Sequence, residues 1–153
     1  MPAQEVNEIT EKIIGCAYTV SNTLGIGFVE KVYENALVFC TRKTGLLVEQ
    51  QYPIKVTFEG VIVGEFFADL LVEKRVLVEL KAVSMLNQEH TAQALNYLRA
   101  TGVEVCLLIN FGKPKLKSND FFPLFIGGLQ NPNSTRSSTH RVHLSSSVVK
   151  LIL

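Results

Sequence analysis

The chain has 153 residues, with 15 Lys and Arg against 14 Asp and Glu, the length of one ordinary domain. Apolar residues make up 47% and charged residues 19%, which supplies a core and excludes a wholly disordered chain. The charge is unevenly spread: residues 1–112 hold 9 basic and 13 acidic side chains, residues 113–153 hold 6 and 1, so any nucleic-acid reading must explain an acidic core.

From Val6 to Leu24, apolar residues at Ile9, Ile13, Ala17 and Val20 recur at helical spacing, and Gly25 and Gly27 end the stretch. A second helix is predicted from about Phe28 to Thr44, with Val29, Val32, Ala36, Phe39 and Cys40 on one side and Gly45 as its stop. The period then changes. Val48 to Phe58, Val61 to Val72 and Val76 to Val83 are rich in β-branched and aromatic residues, and the breaks at Glu59-Gly60 and Glu73-Lys74-Arg75 predict three antiparallel strands. A helix follows from about Asn87 to Ala100, ended by Gly102, and Val103 to Asn110 is an unbroken apolar run of strand length. The predicted order is α-α-β-β-β-α-β. In Ser134 to Ser147, 8 of 14 residues are Ser or Thr without usable periodicity, so the basic stretch 118–153 is expected to be a poorly ordered tail after a domain spanning 1–117.

No apolar run approaches the roughly 18 residues that span a bilayer, so no membrane partner is expected. Glu5, Glu8 and Glu11 precede the first lysine, the reverse of a secretory start, and a cytoplasmic location is expected. Cys16, Cys40 and Cys106 are too scattered for a zinc knuckle and read as small buried hydrophobes.

Asp69, Glu79 and Lys81 carry the chemical argument. Hard cations such as Mg²⁺ need converging carboxylate oxygens, and a nearby ammonium can help orient a metal-activated water. Strand register decides whether these groups meet. With a two-residue loop in the second hairpin, Glu79 points away from Asp69, because side chains alternate with period 2. With the three-residue loop Glu73-Lys74-Arg75, Asp69 lies opposite Glu79. One face then carries Phe67, Asp69, Leu71, Leu77, Glu79 and Lys81, and the other Phe66, Ala68, Leu70, Val72, Val76, Val78 and Leu80. The second register sorts polar from apolar groups, which burial favours. In helix two, Glu30, Tyr33, Glu34 and Leu37 share a face; for Glu34 the expectation is a wet helix surface. In helix three, His90, Gln93 and Tyr97 share a face, and a histidine alone is more often a structural hydrogen-bonding group than a ligand. Lys113, Lys115 and Lys117 fit a phosphate contact or a solvated strand end equally well.

Gly27-Phe28-Val29-Glu30-Lys31-Val32-Tyr33 matches the GxxExxY signature. His90-x-x-Gln93-x-x-x-Tyr97-Leu98, Thr101-Gly102 and Leu108-Ile109-Asn110-Phe111-Gly112 resemble the rest of that family over about residues 6–117. GxxExxY proteins are grouped with the PD-(D/E)XK nucleases. The resemblance implies an α/β (α+β) fold with a restriction-endonuclease-like core, a mixed central sheet flanked by helices. It also implies Asp69 and Glu79 as ligands of Mg²⁺ or Mn²⁺, Lys81 as the group that orients or polarises the attacking water, and Glu30 as an accessory acid. Gln93 and Tyr97 look like the QxxxY motif of the recombination-exonuclease branch, supporting the site or the substrate strand, with His90 and Tyr33 as accessory candidates. Ala68 stands where the superfamily's name-giving proline precedes the aspartate. The resemblance thus implies a Mg²⁺-dependent nuclease acting on nucleic acid, with DNA favoured. The competing reading is a catalytically silent nuclease fold used as a binding or regulatory module, suggested by the acidic core and small size. A homodimer or a protein partner would help so small a core hold its substrate.

Overall fold

A computed structural model describes residues 3–125, which follow the order α1 (Ala3–Leu24), α2 (Glu30–Lys43), β1 (Val48–Phe58), β2 (Val61–Val72), β3 (Val76–Lys81), α3 (Gln88–Thr101), β4 (Val105–Asn110), a short 3-10 turn (Ser118–Asp120) and β5 (Phe121–Phe125). The strands form one sheet in the order β1-β2-β3-β4-β5. β2 is antiparallel to both β1 and β3, β4 runs parallel to β3, and β5 returns antiparallel to β4. The sheet is therefore mixed, and the fold is α+β with helices on its faces.

The stripe Ile9, Ile13, Ala17 and Val20 of α1 is buried as its spacing predicts. The inward stripe of α2 differs from the expected one: it is Tyr33, Glu34, Leu37, Val38 and Thr41, while Val29 and Phe39 face solvent. These two helices cover one side of the sheet, over Leu70, Val72, Val76, Val78, Leu80, Leu107 and Ile109. α3 covers the other side through Ala94, Tyr97 and Leu98, over Ile54, Ala68, Leu71, Leu77 and Cys106. Cys16 and Cys106 are buried and Cys40 half-buried, and burial pushes the Cys16 thiol up to about 12, so that thiol stays protonated and inert.

The hairpin turns set the register. Glu59 and Gly60, both at positive φ, close β1–β2 as a two-residue loop that pairs Phe58 with Val61. Glu73 and Lys74 are also at positive φ, Arg75 N–H donates to the Val72 carbonyl at 3.0 Å, and Val72 pairs with Val76. Residues 73–75 are thus the three-residue loop, and the register that brings Asp69 opposite Glu79 is the one adopted.

Two expectations change. The face assigned to β2 does not alternate throughout: Phe66 lies against Tyr97 and Ala68 belongs to the α3-side cluster, together with Leu71, while Leu70 and Val72 belong to the α1–α2 side. The switch falls at Asp69, opposite Gln51, whose φ of 54° interrupts the extended run of β1. The chain also does not leave the fold at Lys117. Phe121 is a core residue and β5 pairs along β4 from Val105↔Phe125 to Ile109↔Phe121, with Pro123 tolerated because this is an edge strand. The remainder of the expected tail, 126–153, lies outside the described residues.

Candidate metal centre and its neighbours

The β2–β3 ladder pairs Leu70 with Val78, and one step further side chains replace the main-chain bonds. Asp69 N–H donates to Glu79 Oε1 at 3.0 Å, and Leu80 N–H donates to Asp69 Oδ2 at 2.7 Å. Each carboxylate is thus pinned by the backbone of the opposite strand through one oxygen, and the two carboxyl groups adjoin. Glu79 is 4% exposed and Asp69 half-buried. Burial and the Asp69 charge push the Glu79 carboxyl up to about 8, against the hydrogen bond from Asp69 N–H. Burial and the neighbouring Glu34 carboxylate, with a contribution from Glu30, push Asp69 up to about 6.

Glu34 is not the wet surface residue expected. It is buried, and its carboxylate accepts from Lys31 Nζ (2.5 Å), Gln50 Nε2 (2.5 Å) and Gln51 Nε2 (2.6 Å). Burial opposes its ionisation, but the bonds from Lys31 and Gln50 and the Lys31 charge prevail and hold its carboxyl below the ordinary value. The Gln51 amide also reaches Asp69 Oδ1 at 3.5 Å, so the backbone irregularity at Gln51 places a bridge between the two acids. Sequence reasoning missed Glu34, Gln50 and Gln51. The signal for Glu34 was its place beside Tyr33 on the stripe continued by Leu37, Val38 and Thr41; nothing local marked the two glutamines.

Glu30, the first residue of α2, is exposed, yet its charge raises both Asp69 and Glu79. Lys81, at the end of β3, donates from Nζ to Gln93 Oε1 at 3.1 Å, and Gln93 Nε2 donates to the Tyr97 hydroxyl at 3.1 Å. Gln93 and Tyr97 therefore form a rail from α3 that fixes the ammonium, whose charge favours ionised Glu79. Burial and the Glu79 charge raise the Tyr97 phenol, which stays neutral.

Two accessory candidates have structural positions. His90 is the third residue of α3: its Nδ1 accepts from Asn87 N–H (3.2 Å) while His90 N–H donates to Asn87 Oδ1 (3.1 Å), a reciprocal helix cap. Tyr33 stacks on Phe111 at 4.9 Å, donates its hydroxyl to the Gly25 carbonyl (2.7 Å) and accepts from Phe28 N–H (3.3 Å). It locks the turn that aims Glu30 and α2. Asn110 fixes the other end of the site, because Oδ1 accepts from Val83 N–H (3.1 Å) and Gly112 N–H (2.9 Å) while Nδ2 donates to the Val83 carbonyl (2.9 Å). The chain just beyond Lys81 is tied to β4 by these bonds. Gly112 is required there, since a Cβ would lie 2.0 Å from the Val83 carbonyl oxygen.

Four carboxylates, Glu30, Glu34, Asp69 and Glu79, thus gather against two ammonium groups, Lys31 and Lys81. Among the described residues no three His, Cys, Asp or Glu side chains close into a metal cage. The pair Asp69, half-buried, and Glu79, buried, nevertheless fits Mg²⁺, which takes one or two carboxylates and keeps its remaining positions for water and phosphate.

The family model of the PD-(D/E)XK nuclease superfamily matches residues 7–121, from α1 to the first residue of β5. The chain belongs to that superfamily, a class of nucleases whose substrates are nucleic acids and whose members generally use divalent metals. No match was found among curated proteins or among solved structures. Among the described residues no helix is long and apolar enough to cross a membrane.

Proposed function

We propose that this chain is a divalent-metal-dependent nuclease of the GxxExxY branch, acting on nucleic acid with DNA favoured. The observation that carries the reading is the pair Asp69 and Glu79, pinned by main-chain N–H groups and raised by burial and neighbouring carboxylate charge, beside a lysine held by the Gln93–Tyr97 rail. Asp69 and Glu79 would hold Mg²⁺ or Mn²⁺, which supplies charge neutralisation at phosphate and a more acidic water. Lys81, kept in place through Gln93, offers a proton-bearing cation to charge that develops on the phosphate during attack. Glu34 and Gln51 keep Asp69 oriented, and Glu30 adds negative charge at the mouth.

The GxxExxY motif acquires a physical meaning here: Gly27, at a φ of 110°, starts the turn, Glu30 opens α2, and Tyr33 locks both. A silent binding module remains the second reading, favoured by 9 basic against 13 acidic side chains in residues 1–112. The test is incubation of the full chain with single-stranded, duplex and branched DNA and with RNA in Mg²⁺ or Mn²⁺, beside Asp69→Ala and Lys81→Ala. Cleavage abolished by both substitutions supports the nuclease. Absence of cleavage with metal still bound supports the module.

A further inference from the structure

We infer that the groove between the β1–β2 arm and α3 seats an unpaired strand of nucleic acid and leads it to the carboxylate pair. This rests on the nuclease reading and adds the form in which substrate is held. β2 pairs with β3 only over Leu70–Val72, whereas it pairs with β1 over its whole length, so residues 53–67 project as a two-stranded arm. α3 packs beneath the base of this arm through Ala94, Tyr97 and Leu98. Farther out, arm and helix part to leave an open groove of about 860 Å³ whose lining includes Lys55, Phe66, Gln93, Asn96, Tyr97 and Arg99.

Three observations select the occupant. Phe66 is 45% exposed on the groove wall, its ring 5.9 Å from that of Tyr97, so an aromatic surface stands open to solvent. A nucleobase face covers such a ring without regard to sequence, and only unpaired bases present that face, since duplex bases are covered by their neighbours. Arg99 lies in the lining at an exposed position on α3, while Lys55 is faced by Glu65 across the arm and Glu89 stands near the start of the same helix. One cation suits a contact with a single strand, whereas duplex binding calls for a broader basic surface. Finally, the groove is continuous with the site: Gln93 and Tyr97 line it, and Gln93 is the residue that holds Lys81. The carboxylates themselves lie outside the lining, so the groove holds the strand beside the chemistry.

The test is fluorescence anisotropy with the full chain in EDTA at low salt, using labelled ten-nucleotide oligo-dT, oligo-U and a blunt hairpin duplex. At least one single strand should bind about tenfold or more tightly than the duplex; the preference between dT and U identifies the sugar, and either supports the inference. Phe66→Leu, which keeps apolar packing against Tyr97, should weaken binding roughly 5- to 150-fold, the effect of losing one stacked base. Arg99→Glu, at an exposed position, should weaken binding and flatten a salt slope of about −0.7, the value for one phosphate contact on a single strand. Equal or tighter duplex binding, no binding to any oligonucleotide, or unchanged binding in Arg99→Glu and a folded Phe66→Leu would overturn the groove assignment. Mg²⁺-dependent cleavage indifferent to both substitutions would overturn it and leave the nuclease standing. Single-strand binding without cleavage would strike the nuclease reading alone.

Discussion

Replacing Glu79 by glutamine should stabilise the metal-free protein at pH 8. The substitution keeps the side chain's shape and an oxygen to accept from Asp69 N–H, now 3.0 Å from Glu79 Oε1, and removes the charge. Glu79 rises from an ordinary value of 4.5 to about 8 in the folded protein. Between those values the folded state binds more protons than the unfolded state, so the stabilising contribution is complete below about pH 4.5 and is lost as pH rises through about 8. At about 1.4 kcal/mol per pH unit, the loss by pH 8 reaches a ceiling of about 4 kcal/mol, shared with Asp69, whose carboxyl moves the same way. Glu79→Gln should recover much of this, and at roughly 2 to 4 °C per kcal/mol the melting temperature in EDTA should rise by several degrees. Metal narrows the gap: with Mn²⁺ at a hundred times its dissociation constant the parent gains about 2.7 kcal/mol and the variant little. Thermal melts from pH 5 to 9, with EDTA and with Mn²⁺, read both effects. A variant no more stable than the parent at pH 8 in EDTA, or a parent whose stability climbs with pH across this window, would refute the buried-charge account.

Lys81→Met should leave the Mn²⁺-induced rise in melting temperature in place and lower cleavage by roughly 10²- to 10⁴-fold in a single-turnover assay; unchanged cleavage would remove Lys81 from the chemistry. Tyr33→Phe keeps the stacking on Phe111 and loses both hydroxyl bonds at the α1–α2 turn, so it should cost about 1–3 kcal/mol in urea unfolding while cleavage per folded molecule stays near the parent's. Gly112→Ala must displace the Val83 main chain, which a Cβ would meet at 2.0 Å, and should lose more than about 3 kcal/mol, seen as a collapse in soluble yield or melting temperature.

The site's central pair was legible because it depends on one local quantity, the length of the loop after Val72. Three turn residues set the register that brings Asp69 opposite Glu79. The rest of the site depends on encounters that local sequence does not encode. Gln51 adopts a left-handed conformation inside a strand, which no residue preference announces, and the resulting change of face moves Phe66 and Ala68 to the α3 side. Glu34 reads as a wet helix residue until β1 brings Gln50 and Gln51 onto it. His90 carried the spacing of a site residue, but its ring caps its own helix, a bond available to it from Asn87 three residues earlier. β5 escaped notice because Phe121–Phe125 is short, contains Pro123 and follows a lysine-rich loop; it forms because the edge of β4 offers it a ladder.

Calorimetric titration of the full chain with Mn²⁺, beside Asp69→Ala, tests the central claim most directly. The account predicts saturable binding by the parent and its loss in the variant. Binding of equal affinity in both would contradict the assignment of Asp69 and Glu79 as the metal-holding pair.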